Sequence, residues 1–268
     1  MPLEKSRNSP VRSFLQKPVD KLASSLVKRF PDLTADDISY AGTTLVALGA
    51  LLRAVSEGLG QDYSWSSLGL IGLGVAFDGL DGAVARQKNP DDKSSHGVIV
   101  DVLNDRAQET ALALSRIATA SLRGDPFGVL AATFAGLTNP LPSLIRAMAE
   151  KNGVIVAESG KNPLSFLGTR LGRVGLAVSA TVYPQTNIPF VNEPMQPSFD
   201  ALTTLANIFS TIERISQLRK GEKNDPSLDE ASRKIAAEKA KALTTFTLIN
   251  TFVLISAGMI GIYGNLNK

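Results

Sequence analysis

The sequence contains no cysteine and only one histidine, His96. The first absence excludes a disulfide framework and any thiolate metal site. The second argues against a His-based zinc site and against a Ser-His triad. A metal bound here would therefore be a hard cation held by oxygen ligands. The chain is not strongly hydrophobic on average either: 44% of its 268 residues are apolar, the formal net charge is +3 and the mean hydropathy is +0.07. Those values suit a soluble protein and a membrane protein with polar tails equally well, so individual segments must decide. Length alone permits one large domain or two small ones. Internal repeats, low-complexity tracts and a cleavable signal pattern at the N-terminus are also missing.

Apolar runs near the length of about 20 residues that crosses a bilayer recur along the chain. They occupy 38–55, 67–85, 97–120, 127–149, 164–183, 199–218 and 243–264. The first, fourth and seventh are persuasive by hydropathy alone. The third, fifth and sixth carry charges that a lipid-facing helix holds badly, so those charges should be buried against neighbouring helices. Loop charge tests the threading independently. With the N-terminus inside, the loops outside the first six spans hold Arg123 as their only basic residue, and the long PQTNIPFVNEPMQPS has none. The inside segments are rich in Lys and Arg, as the positive-inside rule requires.

The expected fold is thus an all-α integral membrane protein, a bundle of six transmembrane helices over residues 35–219 with its N-terminus toward the cytoplasm. Residues 1–34 form a cytoplasmic segment in which 10–32 lies on the inner surface as a juxtamembrane amphipathic helix. A solvated helix or tail is the alternative. Residues 220–268 form an extension, with a capped basic helix over 226–242 and, over 243–264, either a seventh span or a helix packed on the bundle; a span is favoured.

Chemistry concentrates in FDGLDGAVARQKNPDDKSSHGVIVDVLNDRAQ, which sets Asp78, Asp81, Asp101 and Asp105 in or beside apolar runs. Asp78 and Asp81 share a helix face, with Gly82 and Ala85 four and seven residues beyond Asp78. Gly97, Asp101 and Asp105 form a second stripe at steps of four. Four clustered carboxylates repel one another and require a compensating charge of about +4, which two divalent cations, Mg²⁺ or Mn²⁺, would supply. The small residues leave room for a ligand to approach the backbone. Two other readings compete: acids paired with Arg86 or Arg106, and a cation pathway in a coupled transporter. Asp91 and Asp92 sit in a polar loop and are expected to be solvated, and His96 to be a surface or capping residue.

Written out, the stretch is D78-x2-D81-G82-x2-A85-R86, ten residues, then G97-x3-D101-x3-D105. It resembles the signature of the CDP-alcohol phosphotransferase family, integral membrane enzymes of phospholipid synthesis, at every fixed position; only the spacer before Gly97 is somewhat long. The resemblance extends more weakly over about 35–219, with Ala35-Asp36 where the family usually has Pro-Asn. It implies that Asp78, Asp81 and Asp101 hold two metal ions. Asp105 would complete the site and act as general base. Asp78, Gly82, Ala85 and Arg86 would lie against the CDP-lipid. An acceptor hydroxyl would then attack the β-phosphorus and CMP would leave. A homodimer is implied by the resemblance alone, and no nucleic-acid partner is expected.

For the acceptor, the Asp105-Arg106 pair and PSLIRAMAEKNGV are similar to the inositol-phosphate-type branch. Arg146, Arg170 and Arg173 would bind the phosphate of a small phosphorylated polyol, since arginine suits bidentate phosphate contacts. Snorkelling to membrane lipid phosphates is the plainer alternative. Inositol phosphate is the favoured acceptor and glycerol 3-phosphate the next.

Overall fold

The structure, a computed structural model, describes residues 10–88, 95–154, 156, 175, 176, 179, 196–219 and 230–266, and eight helices are delimited among them. They are α1 (Pro10–Arg29), α2 (Ala35–Leu59), α3 (Ser64–Lys88), α4 (Ser95–Arg123), α5 (Pro126–Thr138), α6 (Leu141–Lys151), α7 (Gln196–Arg219) and α8 (Glu230–Leu266). Among the described residues, four stretches are long and apolar enough to cross a membrane: α2, α3, α5 with α6, and α8. The expected fifth span, 164–183, falls almost wholly outside the described residues.

Glycine sets the distance between α2 and α3. A Cβ on Gly74 would stand 2.5 Å from the Gly42 carbonyl oxygen, and one on Gly49 would stand 2.8 Å from that of Ser67. The two backbones therefore touch, as small residues allow where helices pack in lipid. Ser67 Oγ also donates to the Gly49 carbonyl at 2.7 Å. A capping box starts α2: the Asp37 N–H donates to Thr34 Oγ1 at 3.1 Å and the Thr34 N–H to Asp37 Oδ2 at 2.9 Å.

Polar side chains fasten α4 onto α2. Asn104 Nδ2 donates to Ser39 Oγ at 2.8 Å, Gln108 Nε2 to Thr43 Oγ1 at 3.2 Å, and Ser115 Oγ to the Ala50 carbonyl at 2.6 Å. The partners advance together, so α2 and α4 run parallel, as the first and third spans of the threading should. At the far end Glu57 takes Arg123 with both oxygens, at 2.8 and 2.7 Å, and Arg53 at 3.0 Å.

Most charges described within the third and sixth runs are buried, namely Asp105, Arg106, Glu109, Arg116, Asp200 and Arg214, whereas Asp101 is exposed and Glu213 half-buried. Arg116 of α4 pairs with Asp200 of α7 at 2.8 Å, with 3% and 1% of the side chains exposed. Arg106 pairs with Glu109.

Two boundaries differ from the sequence reading. The run 127–149 is two helices, broken at Asn139–Pro140. Pro140 has no N–H for the Gly136 carbonyl, and Asn250 Nδ2 of α8 donates to that carbonyl instead, at 3.4 Å. Arg106 Nη1 donates to the Asn139 carbonyl at 3.0 Å, Asn207 Nδ2 to Asn139 Oδ1 at 2.8 Å, and Arg214 to the Pro142 carbonyl. The second difference is that the basic helix and the last apolar run form one 37-residue helix, about 55 Å long. It packs on α4, α5 and α6, with Gly258 against Thr133 and Gly261 against Val129. The helical segment of 10–32 is present as α1, which packs Ala23, Leu26 and Val27 against Leu80, Ala83 and Val84 of α3.

Gly74→Leu should separate α2 from α3, because a side chain there meets backbone. Overpacking of this kind costs about 1–3 kcal/mol or more. We expect the melting temperature in detergent to fall by roughly 5 °C or more, while Gly72→Ala, where a Cβ meets nothing within 4 Å, leaves it unchanged.

Candidate metal centre

The third and fourth helices bring their acids to one place. Asp78, Asp81 and Asp101 each offer a carboxylate oxygen, and these oxygens lie within 4.8 Å of one another. Asp78 is half-buried, Asp81 buried and Asp101 exposed, so the group lies between protein interior and surface. Asp105, one turn beyond Asp101, is buried and not part of this close group; its Oδ2 stands 4.0 Å from Arg106 Nη2. The helical spacing read from the sequence thus places three of the four aspartates within reach of a common ion.

Like charges at this separation oppose one another by roughly 3 kcal/mol per pair at an effective dielectric near 20. A donor set made only of carboxylate oxygens suits a hard divalent cation. Beyond the adjoining residues and the helix's own backbone, a Cβ added at Gly82 would meet only Arg86 Nη1 within 4 Å, at 3.6 Å. Glycine at this position leaves a gap between the acids and the guanidinium. Ala85 and Arg86 are exposed at the same end of α3, and Arg86 Nη2 pairs with Asp20 Oδ1 of α1 at 3.0 Å.

Two contributors escaped the sequence reading. Ser39, 3% exposed on α2, lies beside Asp81 and accepts from Asn104 of α4. One hydroxyl thereby stands where the three helices that build the site meet. A serine and an asparagine inside apolar runs give little warning of such a role. Arg106 is placed differently from an acceptor ligand: it is buried against Glu109 and the Asn139 carbonyl at the break between α5 and α6. Arg146 of α6 has its Nε on Glu150 Oε1 at 2.8 Å. Arg170, Arg173, the polar loop 89–94 and the side chain of His96 lie outside the described residues.

Ser39→Ala should weaken Mn²⁺ binding about tenfold, the usual scale for loss of a group that orients a ligand, and Asp81→Asn should abolish it. Calorimetric titration of the purified protein with Mn²⁺ checks both, and an unchanged affinity in Ser39→Ala would remove the hydroxyl from the site.

The comparisons with known proteins agree with this geometry. Residues 32–189 match the family model for CDP-alcohol phosphatidyltransferases. No curated protein matches the sequence. Among solved structures, Mycobacterium tuberculosis phosphatidylinositol phosphate synthase (PgsA1) with CDP-DAG bound aligns with a TM-score of 0.58 at 23% identity, over 75% of this chain and 92% of that one. The same enzyme in complex with manganese and citrate aligns with a TM-score of 0.56 at 22% identity, over 75% and 88%. At such identities the likeness is one of fold. The family match spans more than half of the sequence and includes Asp78, Asp81, Asp101 and Asp105, and the chain is an integral membrane protein of the CDP-alcohol phosphatidyltransferase family.

Proposed function

We propose that the protein transfers a phosphatidyl-type group from a CDP-linked lipid, CDP-diacylglycerol or an ether analogue, to a hydroxyl of a phosphorylated polyol, releasing CMP. Inositol phosphate is the favoured acceptor. The observation that carries the proposal is the convergence of Asp78, Asp81 and Asp101 beside the gap at Gly82. The solved relatives lend support, since that enzyme was captured with CDP-DAG and with manganese.

Asp78, Asp81, Asp101 and Asp105 would hold two divalent cations, Mg²⁺ or Mn²⁺. Held there, such cations would supply positive charge to offset that on the transferring group and on the leaving phosphate. Gly82 and Ala85 leave the backbone of α3 open to the nucleotide, and Arg86 meets its phosphates. Asp105 takes the proton from the acceptor hydroxyl. The oxygen so freed forms a bond to the β-phosphorus, and the bond from that phosphorus to the bridging oxygen breaks, leaving CMP. Arg146, with Arg170 and Arg173, holds the acceptor's phosphate; Glu150 fixes the guanidinium of Arg146 from the side.

The active site faces the cytoplasm on this reading, in keeping with the basic inner loops. Six spans over 35–219 form the catalytic unit, flanked by residues 1–34 and by the extension 220–268. The direction of α7 supports that threading: Asn207 meets Asn139 and Arg214 meets Pro142, so α7 runs parallel to α5 and α6, as a sixth span should to a fourth. A homodimer is part of the proposal and is tested by crosslinking in native membranes.

CMP release by the purified protein, with CDP-diacylglycerol, Mg²⁺ or Mn²⁺ and one acceptor at a time, tests the reaction. Stimulation by inositol phosphate, with a matching lipid product, is expected. Stimulation by glycerol 3-phosphate alone would move the protein to another branch. Asp105→Asn should bind the CDP-lipid yet lose turnover by roughly a hundredfold or more, and normal turnover would end the base assignment. Arg146→Ala should raise the acceptor KM about tenfold or more and leave the donor KM unchanged; an unaltered acceptor KM returns Arg146 to lipid anchoring.

A further inference from the structure

At the cytoplasmic end of α3, three successive side chains reach α1 or the turn that follows it. Arg86 Nη2 pairs with Asp20 Oδ1 at 3.0 Å, Gln87 Nε2 donates to the Asp20 main-chain carbonyl at 2.7 Å, and Lys88 donates to the Pro31 carbonyl. Asp20 is thus held at two points, by its side chain and by its backbone. Below it, Ala23 and Leu26 of α1 pack on Leu80, Ala83 and Val84, the residues interleaved with Asp81 and Gly82. The position of Asp20 is therefore set by apolar packing, although its carboxylate is 40% exposed and the Arg86 guanidinium 44%.

An exposed ion pair of this kind adds little to stability, at most about 1 kcal/mol, so its consequence is better sought in geometry. The guanidinium bridges two places. Its Nη2 lies on Asp20, and its Nη1 lies over Gly82, 3.6 Å from where a Cβ would stand. Gly82 directly follows Asp81, one of the three clustered carboxylates. A long side chain with several rotatable bonds would otherwise sample solvent; the carboxylate holds one edge of its planar fork and presents the other to the gap beside the acids.

We infer, on the reading that Arg86 meets the diphosphate of the CDP-lipid, that Asp20 is a positioning residue for the donor. α1 then does more than rest on the membrane, because it supplies the carboxylate that fixes the orientation of a substrate-binding arginine on α3. Asp20 bears a charge of the same sign as the diphosphate, so orientation and repulsion act in opposite directions. At this exposure solvent and salt screen the repulsion, and orientation prevails.

The test titrates CDP-diacylglycerol in detergent micelles, with Mn²⁺ present, into the intact protein and its variants, and follows CMP release in parallel. Asp20→Asn and Asp20→Ala should each weaken donor binding by about five- to tenfold, the lower part of the range for groups that orient a ligand-binding side chain. They should leave Mn²⁺ affinity, the acceptor KM and kcat at saturating donor unchanged. Asp20→Glu should restore most of the donor affinity. In an Arg86→Ala background, Asp20→Ala should have no further effect. Gln87→Ala loosens the backbone tether but keeps the carboxylate, and it should bind the donor within about twofold of wild type.

Tighter donor binding in Asp20→Asn would mean that repulsion dominates and would overturn the inference. An effect of Gln87→Ala equal to that of Asp20→Asn would also overturn it, by reducing the contact to docking of α1. Weaker binding in Arg86→Ala with no change in the Asp20 variants would sink the inference while the donor reading of Arg86 stands. Unchanged binding in Arg86→Ala would sink both.

Discussion

Contact between the backbones of α2 and α3 determines where every other part of the site can lie. Gly42 and Gly49 on one helix, and Gly74 on the other, remove the side chains that would hold the two apart. With the helices that close, Ser39 on α2 reaches Asp81 on α3. The same hydroxyl takes Asn104 from α4, and the hydrogen bonds from Gln108 and Ser115 lock the register of α4 along α2. Asp101 therefore meets Asp78 and Asp81 because α4 cannot slide. In a bilayer, where apolar surface alone gives helices little reason to prefer one partner, such polar contacts and close packing carry the specificity.

A second polar seam serves the rest of the bundle. Arg106, Arg116, Glu109, Asp200, Asn207, Arg214 and Asn250 are all buried, and they answer one another or the backbone at the break between α5 and α6. Pro140 frees the Gly136 carbonyl, and a side chain from α8 reaches it. Buried polar groups left without such contacts would each cost about 1–3 kcal/mol. The broken span and the charged spans are therefore parts of a single arrangement. This also explains why acids and arginines within apolar runs need not line a transport pathway: Arg106, Glu109 and Arg116 of α4 and Asp200 and Arg214 of α7 sit in buried contacts.

How much of this was legible in the sequence varied with the range of the interaction. The acid stripes were, because spacings of three and four fix a shared helix face regardless of what surrounds it. Four membrane-crossing stretches were, since their apolar runs come close to the length a bilayer requires. The break at Asn139–Pro140 was written in TNPLPS, yet hydropathy averages over it and merges α5 with α6. The continuity of α8 stayed hidden for the opposite reason. A change from charged to apolar residues near 242 alters the environment of a helix without ending it, and no Gly or Pro stands between Glu230 and Ile255 to do so. Ser39 and Asn104, or Asp20 and Arg86, are separated by about 65 residues, and no local pattern links them. Arg106 resembled a marker of acceptor type; its contacts show that it also has a structural duty at the break.

The site works against the fold that contains it. Three carboxylates held within 4.8 Å of one another oppose the docking of α4 on α3, and the glycine gap at residue 82 adds no packing to offset that. The opposing forces come from elsewhere: backbone contact of α2 with α3 on one side, the hydrogen-bonded register of α4 on α2 on another, and α8 bracing α4 from behind. Each lies outside the cluster and none uses an acid that a cation would need. A rigid frame that keeps like charges together is already shaped for a cation. With the packing carried by these other contacts, a divalent ion entering among the aspartates would meet oxygens already gathered.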